Sequence, residues 1–147
     1  MDEVAIISLA LPGEAFRIFT GYVEDGILDF EGKRIEADFG DYTHVIHDEN
    51  RIKRVSWIEP TAQEPDEVWL WRSRKPSKRQ LNIRQQTYVK WIRPAEEEPP
   101  ELFVLGVELL PTGQLRLRSW YSANNPEAEL EKLGKGEQLY DRRRQDH

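Results

Sequence analysis

With 147 residues, 38% of them hydrophobic and 15 aromatic, the chain can build one core and not two. It has no cysteine, which excludes disulfides, thiolate-held zinc, iron–sulfur clusters and thiol nucleophiles, and only three histidines, so neither a metal centre nor a cofactor is expected. The net charge of −6 conceals an uneven distribution, because Arg51 to Arg93 holds eleven basic residues against four acidic ones, a net of +7 inside a remainder of −13.

The apolar stretch 4–12 is too short to span a bilayer and lacks a basic leader, so a soluble, cytoplasmic protein with no membrane partner is expected. Alternation of apolar and polar positions predicts strands over residues 6–11 and 15–23, then a hairpin from 27–30 to 34–39 that turns at Gly32. The polar stretch 41–50 carries His44 and His47 and leads into a helix over 51–63, on which Ile52, Val55 and Ile58 form one stripe. Asp48, Glu49 or Asn50 is placed to cap it, and Pro60 either ends it near Ile58 or occupies the first turn of a restart. Turn residues at 64–67 precede a strand at 68–71 and a basic loop at 72–80. Strands at 86–93, 102–110 and 114–122, the last two joined at Pro111-Thr112-Gly113, read as a meander, with an acidic connection at 95–101. Asn124-Asn125-Pro126 opens a short helix over 127–133, closed by Gly134 and followed by a charged tail.

No phosphate-cradling glycine loop or metal-binding histidine pair is present, so any site must be assembled across strands. Strict alternation over 114–122 puts Leu115, Leu117, Ser119 and Tyr121 on one face and Arg116, Arg118 and Trp120 on the other. Two apolar residues then lead to two hydroxyls, as on a strand emerging from a core into a cleft, although rim residues would show the same pattern. Lys90 stands between Tyr88 and Ile92 on a face that is normally buried, where it either reaches a phosphate or snorkels from an edge. His44 and His47 carry imidazoles, the group most often used as a general base, although a pair of loop histidines is more often an ordinary surface feature. The basic stretch, with Arg51, Arg74, Lys75, Lys78 and Arg79, fits either a polyanion footprint or a solvated loop and helix face.

The order of features carries a resemblance. Tyr42-Thr43-His44-Val45-Ile46-His47 is followed by Asn50-Arg51-Ile52, Trp57-Ile58-Glu59 and Pro65-Asp66-Glu67-Val68-Trp69. Then come Tyr88-Val89-Lys90, Leu117-Arg118-Ser119-Trp120-Tyr121-Ser122 and the terminal Leu133-Gly134-Lys135-Gly136-Glu137-Gln138-Leu139-Tyr140. Over residues 42–140 this resembles the phage-associated nucleases of the barnase/EndoU/colicin E5 and D/RelE-like fold, found in phage proteins and polymorphic toxins. The resemblance implies His44 as general acid or base, Lys90 as the phosphate-contacting cation, Ser119 in place of the family's usual Thr with Tyr121 beside it, and Arg51 as a further contact. Trp120 is bulkier than the small residue usual between the two hydroxyls, and Pro60 interrupts a helix that is normally continuous.

The expected fold is α+β, a twisted, mainly antiparallel sheet packed against one or two helices, with residues 1–40 supplying strands and a hairpin, 41–140 the nuclease-like domain and 141–147 a tail. The expected function is a metal-independent, toxin-like endoribonuclease that cuts RNA, tRNA among the candidates, by 2′-hydroxyl attack and has an antitoxin or immunity protein as partner. Two alternatives are an inactive protein-interaction module on the same fold and a small β-barrel that binds an apolar ligand.

Overall fold

The computed structural model describes residues 2–7, 13–72 and 84–145. It opens with a two-residue strand, β1 (Asp2–Glu3), and a helix, α1 (Glu14–Asp25). Residues 15–23 are therefore helical, against the predicted strand, and the period explains why. Ala15, Phe19 and Tyr22 are buried at spacings of four and three, and Ile18 and Val23 pack on the same core, a stripe that a helix presents and a strand does not. Of the strand predicted over 6–11, Ile6 and Ile7 are irregular, and residues 8–11 lie outside the described residues.

The predicted hairpin forms as β2 (Ile27–Leu28) and β3 (Arg34–Glu36), with Ile27 opposite Ile35. Asp29 fixes the turn by accepting the backbone N–H groups of Glu31 and Lys33. Next come α2 (Phe39–His44), begun by a capping box between Asp38 and Asp41, and α3 (Glu49–Ile52), capped by the Asp48 side chain. A 3₁₀ turn (Val55–Trp57) and α4 (Ile58–Gln63) follow, so the helix predicted over 51–63 is three pieces. Proline lacks an N–H and collides with the carbonyl four residues back, so the helix restarts at Ile58 and keeps Pro60 within its first turn.

The meander forms as β4 (Glu67–Arg72), β5 (Arg84–Arg93), β6 (Glu101–Leu109) and β7 (Leu115–Ser122). α5 (Pro126–Leu133) has Asn125 as its cap, and β8 (Glu137–Asp141) and the single turn α6 (Arg142–Gln145) complete the chain. β8 was not predicted, being too short and too charged for its pattern to show, and it pairs antiparallel with β4. The strand order is β2-β3-β7-β6-β5-β4-β8. β1 lies parallel to β5 past the end of β4, β3 lies parallel to β7, and the other ladders are antiparallel. The α+β expectation thus holds: a curled, mainly antiparallel sheet packs against helices. The curl brings the Phe30 ring within 4.7 Å of Tyr140 in β8, yet no ladder joins β2 to β8 among the described residues.

Both faces of the sheet carry apolar side chains. On the concave side Tyr88, Ile92, Phe103, Leu105, Val107, Leu117 and Trp120 pack against α1, the 3₁₀ turn and α4 through Phe19, Val55, Trp57 and Ile58. On the other side Val89, Leu102 and Val104 meet Leu133 of α5, with Trp69, Trp91 and Tyr121 around them.

Candidate active site

The pairing of β6 with β7 slips between Gly106 and Val107. Leu117 lies opposite Val107 and Ser119 opposite Gly106, so Arg118 is the extra residue of a bulge. The bulge reverses the faces that strict alternation predicts. Leu115, Leu117 and Trp120 share the main core, while Ser119 and Tyr121 turn to the opposite side, where Tyr121 joins the cluster under α5. Gly106 leaves the space for this arrangement, since a Cβ there would stand 2.9 Å from Ser119 Oγ.

β3 accompanies β7 only as far as Arg116. Beyond it, α2 and α3 lie against β7, and the Trp120 indole fixes α3 by donating to the Arg51 carbonyl at 2.9 Å. Arg54, behind α3, grips Glu101 with two nitrogens at 3.1 and 3.2 Å, and Glu101 also accepts from Ser122 at 2.6 Å. A hollow of about 400 Å³ results. His44 and Asp41 line it from α2, Arg51 from α3, and Ser119, Arg116 and Arg118 from β7, with Glu108 of β6 at its floor. Each guanidinium has a carboxylate partner: Arg51 with Asp48 at 3.3 Å, Arg116 with Asp38 at 3.2 Å, and Arg118 with Glu108. Burial pushes the Asp41 carboxyl above its ordinary pKa, against the capping hydrogen bond from the Asp38 backbone.

Two of the four candidate catalytic residues, His44 and Ser119, thus share a hollow with Arg51. The other two lie elsewhere. Tyr121 lines an adjoining hollow of about 440 Å³ that also has Arg51 in its wall, with the guanidinium 5.8 Å from the centre of the tyrosine ring. Its hydroxyl donates to Glu129, and burial raises its pKa beyond the physiological range. Lys90 keeps its predicted place between Tyr88 and Ile92 and is 1% exposed. Its ammonium lies 2.8 Å from the Asp2 carboxylate and donates to the Glu64 carbonyl at 2.5 Å. The expected cleft lined by all four residues is therefore not what the fold builds. β4 pairs with β5 only as far as Val89, and β1 takes up the vacated edge and brings Asp2 to Lys90.

His47 is exposed and stands outside the lining of the hollow. Arg74, Lys75, Lys78 and Arg79 lie outside the described residues. The strands that bracket them end at Arg72 and Arg84, the end of the sheet at which Leu109 and Leu115 are paired and from which Arg116 follows. Trp69 is half-buried in the cluster under α5, and Lys132 sits 5.6 Å from the centre of the Trp71 ring. Sequence reasoning missed Asp41, Glu108, Arg116 and Arg118. The readable signal was Gly106, because a glycine inside an apolar strand marks a bulge and a change of face.

Among the described residues no group of three or more His, Asp or Glu side chains gathers to hold a metal, and no helix is long and apolar enough to cross a membrane. Compared with protein-family models, with curated proteins and with solved structures, the chain matches none. What the hollow offers chemically is an accessible imidazole from α2, a guanidinium from α3, and a hydroxyl and two guanidiniums from β7: groups that accept a proton, donate to an oxyanion and bind a phosphate.

Proposed function

We propose that the chain is a metal-independent endoribonuclease whose site is the hollow at the β7 edge. The observation that supports this most is the meeting there of His44, Arg51 and Ser119 from three different elements, with Arg118 and Arg116 beside them. In this reading His44 takes the proton of a ribose 2′-hydroxyl, and the 2′-oxygen attacks the adjacent phosphorus. The bond from phosphorus to the 5′-oxygen breaks, that oxygen takes a proton from water, and the imidazolium of His44 returns its proton to the solvent. The products are a 2′,3′-cyclic phosphate and a 5′-hydroxyl. Arg51 takes the phosphate-binding role that the family resemblance implies for Lys90, because Arg51, though paired with Asp48, borders the hollow, whereas Lys90 is buried away from it against Asp2 and the Glu64 carbonyl. Ser119 donates to an equatorial oxygen, a contribution whose loss lowers a rate by roughly a hundredfold. Tyr121 acts through its ring, as the surface on which Arg51 rests. The substrate is cellular RNA met in the cytoplasm, and the basic stretch that follows Arg51 holds its backbone.

A second reading, a protein-interaction module, is favoured by a separate observation. Phe16 and Phe39 are 48% and 44% exposed and stack on each other at 5.8 Å, which suits a partner such as an inhibitor protein. Incubation of the purified protein with total RNA or tRNA in EDTA, followed by end-group analysis, separates the two. Cyclic phosphate ends support the nuclease, and intact RNA in both EDTA and magnesium leaves the interaction module.

A further inference from the structure

We propose that the adjoining hollow, walled by Arg51 and Tyr121, is a base-recognition subsite that receives the nucleobase of the attacked nucleotide and prefers adenine. This deepens the endoribonuclease reading and rests on it. The shared Arg51 is the first argument. A phosphate held by that guanidinium in the His44 hollow places the neighbouring nucleoside beside the second space that Arg51 borders. At about 440 Å³ that space lies within the range of roughly 300 to 1,000 Å³ typical of small-molecule sites.

The lining is the second argument. Asn50, Asn124 and Asn125 stand exposed at the rim, while Tyr121 and Ala123, partly buried in the cluster under α5, lie deeper. An aromatic and apolar floor suits the face of a base, and an amide rim suits its edge. The three amides are not equivalent. The Asn125 side-chain oxygen is engaged, accepting the Ala128 N–H at 3.1 Å as the cap of α5. Ser122 donates its proton to Glu101, and Tyr121 donates its own to Glu129. The charged groups of the lining are engaged as well, Asp48 with Arg51, Glu129 with the Tyr121 hydroxyl and Lys132 over the Trp71 ring, which leaves Asn50 and Asn124, whose amides each carry a donor and an acceptor, the pair that fits the N6 and N7 edge of adenine. Asn50 precedes Arg51 in α3, so base and phosphate would be read by consecutive residues of one short helix.

The test uses two measurements on the full chain. In the first, each of the four ribonucleoside 3′-monophosphates is titrated into the His44→Gln protein while the side-chain amide resonances of Asn50 and Asn124 are followed. The expected result is binding of adenosine 3′-monophosphate about tenfold or more tighter than that of the uridine compound, with both resonances shifting. Asn124→Ala and Asn50→Ala, each checked for folding by circular dichroism, should bring the four affinities together. In the second, the wild type is given deoxyoligonucleotides that contain a single ribonucleotide of each base. Faster cutting at adenosine supports the subsite. Equal cutting at all four bases overturns it and leaves the nuclease standing. Adenosine-selective binding that Asn124→Ala abolishes, with no cutting of any RNA, keeps the subsite and removes the nuclease. Binding of none of the four, or binding that leaves both amide resonances unmoved, overturns the proposal.

Discussion

Ser119 and Gly106 face each other across the β6–β7 ladder, and the serine hydroxyl stands where a Cβ at Gly106 would approach to 2.9 Å. The glycine and the bulge act together: the bulge turns Ser119 away from the core, and the missing side chain leaves room for its hydroxyl. Gly106→Ala should force that hydroxyl to rotate, an inexpensive adjustment at the end of a small side chain. Stability should change by no more than about 1 kcal/mol, while cleavage falls to the level of Ser119→Ala. The double variant should fall no further, and kcat/KM for the set of four proteins, with urea unfolding alongside, measures this coupling.

Lys90 is expected to serve stability and not cleavage. Lys90→Met removes the partner of the Glu64 carbonyl at the end of α4 and leaves Asp2, which is 39% exposed, to be solvated by water. The cost should be about 1 to 3 kcal/mol in urea unfolding, most of it from the unpaired carbonyl, with kcat unchanged.

The Lys90 ammonium, chiefly through its hydrogen bond, holds the Asp2 carboxyl below its ordinary pKa. A carboxyl whose pKa is lower in the folded than in the unfolded chain stabilises the fold at neutral pH, and that stabilisation is lost as the pH falls below about 4. Unfolding at pH 6 and pH 3 should therefore show a smaller acid loss for Asp2→Asn than for the wild type.

Tyr88 donates to Asp29 at 2.8 Å and accepts from Gln86 at 2.7 Å, all three being buried. Burial raises the Tyr88 pKa, so the group remains a neutral donor. Tyr88→Phe leaves a buried carboxylate oxygen without its partner, and should cost about 1 to 3 kcal/mol. Denaturant titration measures it.

The meander, the hairpin and α5 are legible in the sequence because each carries a local signal: alternation, a turn glycine, or an Asn-Pro start. α1 is not legible as a helix, because Phe16, Ile18 and Thr20 alternate by chance across a segment whose buried stripe is Ala15, Phe19 and Tyr22. His44 and Ser119 follow from the order of motifs, and Arg51 from the basic stretch that it opens. That Lys90 stands apart from them depends on a long-range event, the docking of β1 beside β5, which nothing local to Lys90 announces. The switch of Ser119 from the core face depends on one slipped residue, and strict alternation conceals it.

The basic stretch gives a prediction of its own. Neutralising Arg74, Lys75, Lys78 and Arg79 together should flatten the salt dependence of RNA binding, by about 0.7 in the logarithmic slope for each phosphate that the variant no longer neutralises. Filter binding across a salt series measures this, and an unchanged slope moves the backbone-holding surface elsewhere.

The central claim is that cleavage belongs to the hollow shared by His44, Arg51 and Ser119 and not to the buried Lys90. The direct measurement is the single-turnover rate of RNA cleavage in EDTA, with product ends identified, for the wild type, His44→Gln and Lys90→Met. The account predicts 2′,3′-cyclic phosphate ends from the wild type, a loss of roughly a hundredfold or more in His44→Gln, and a wild-type rate in the folded Lys90→Met protein. Cleavage by His44→Gln at the wild-type rate, or loss of cleavage in a folded Lys90→Met protein, would contradict it.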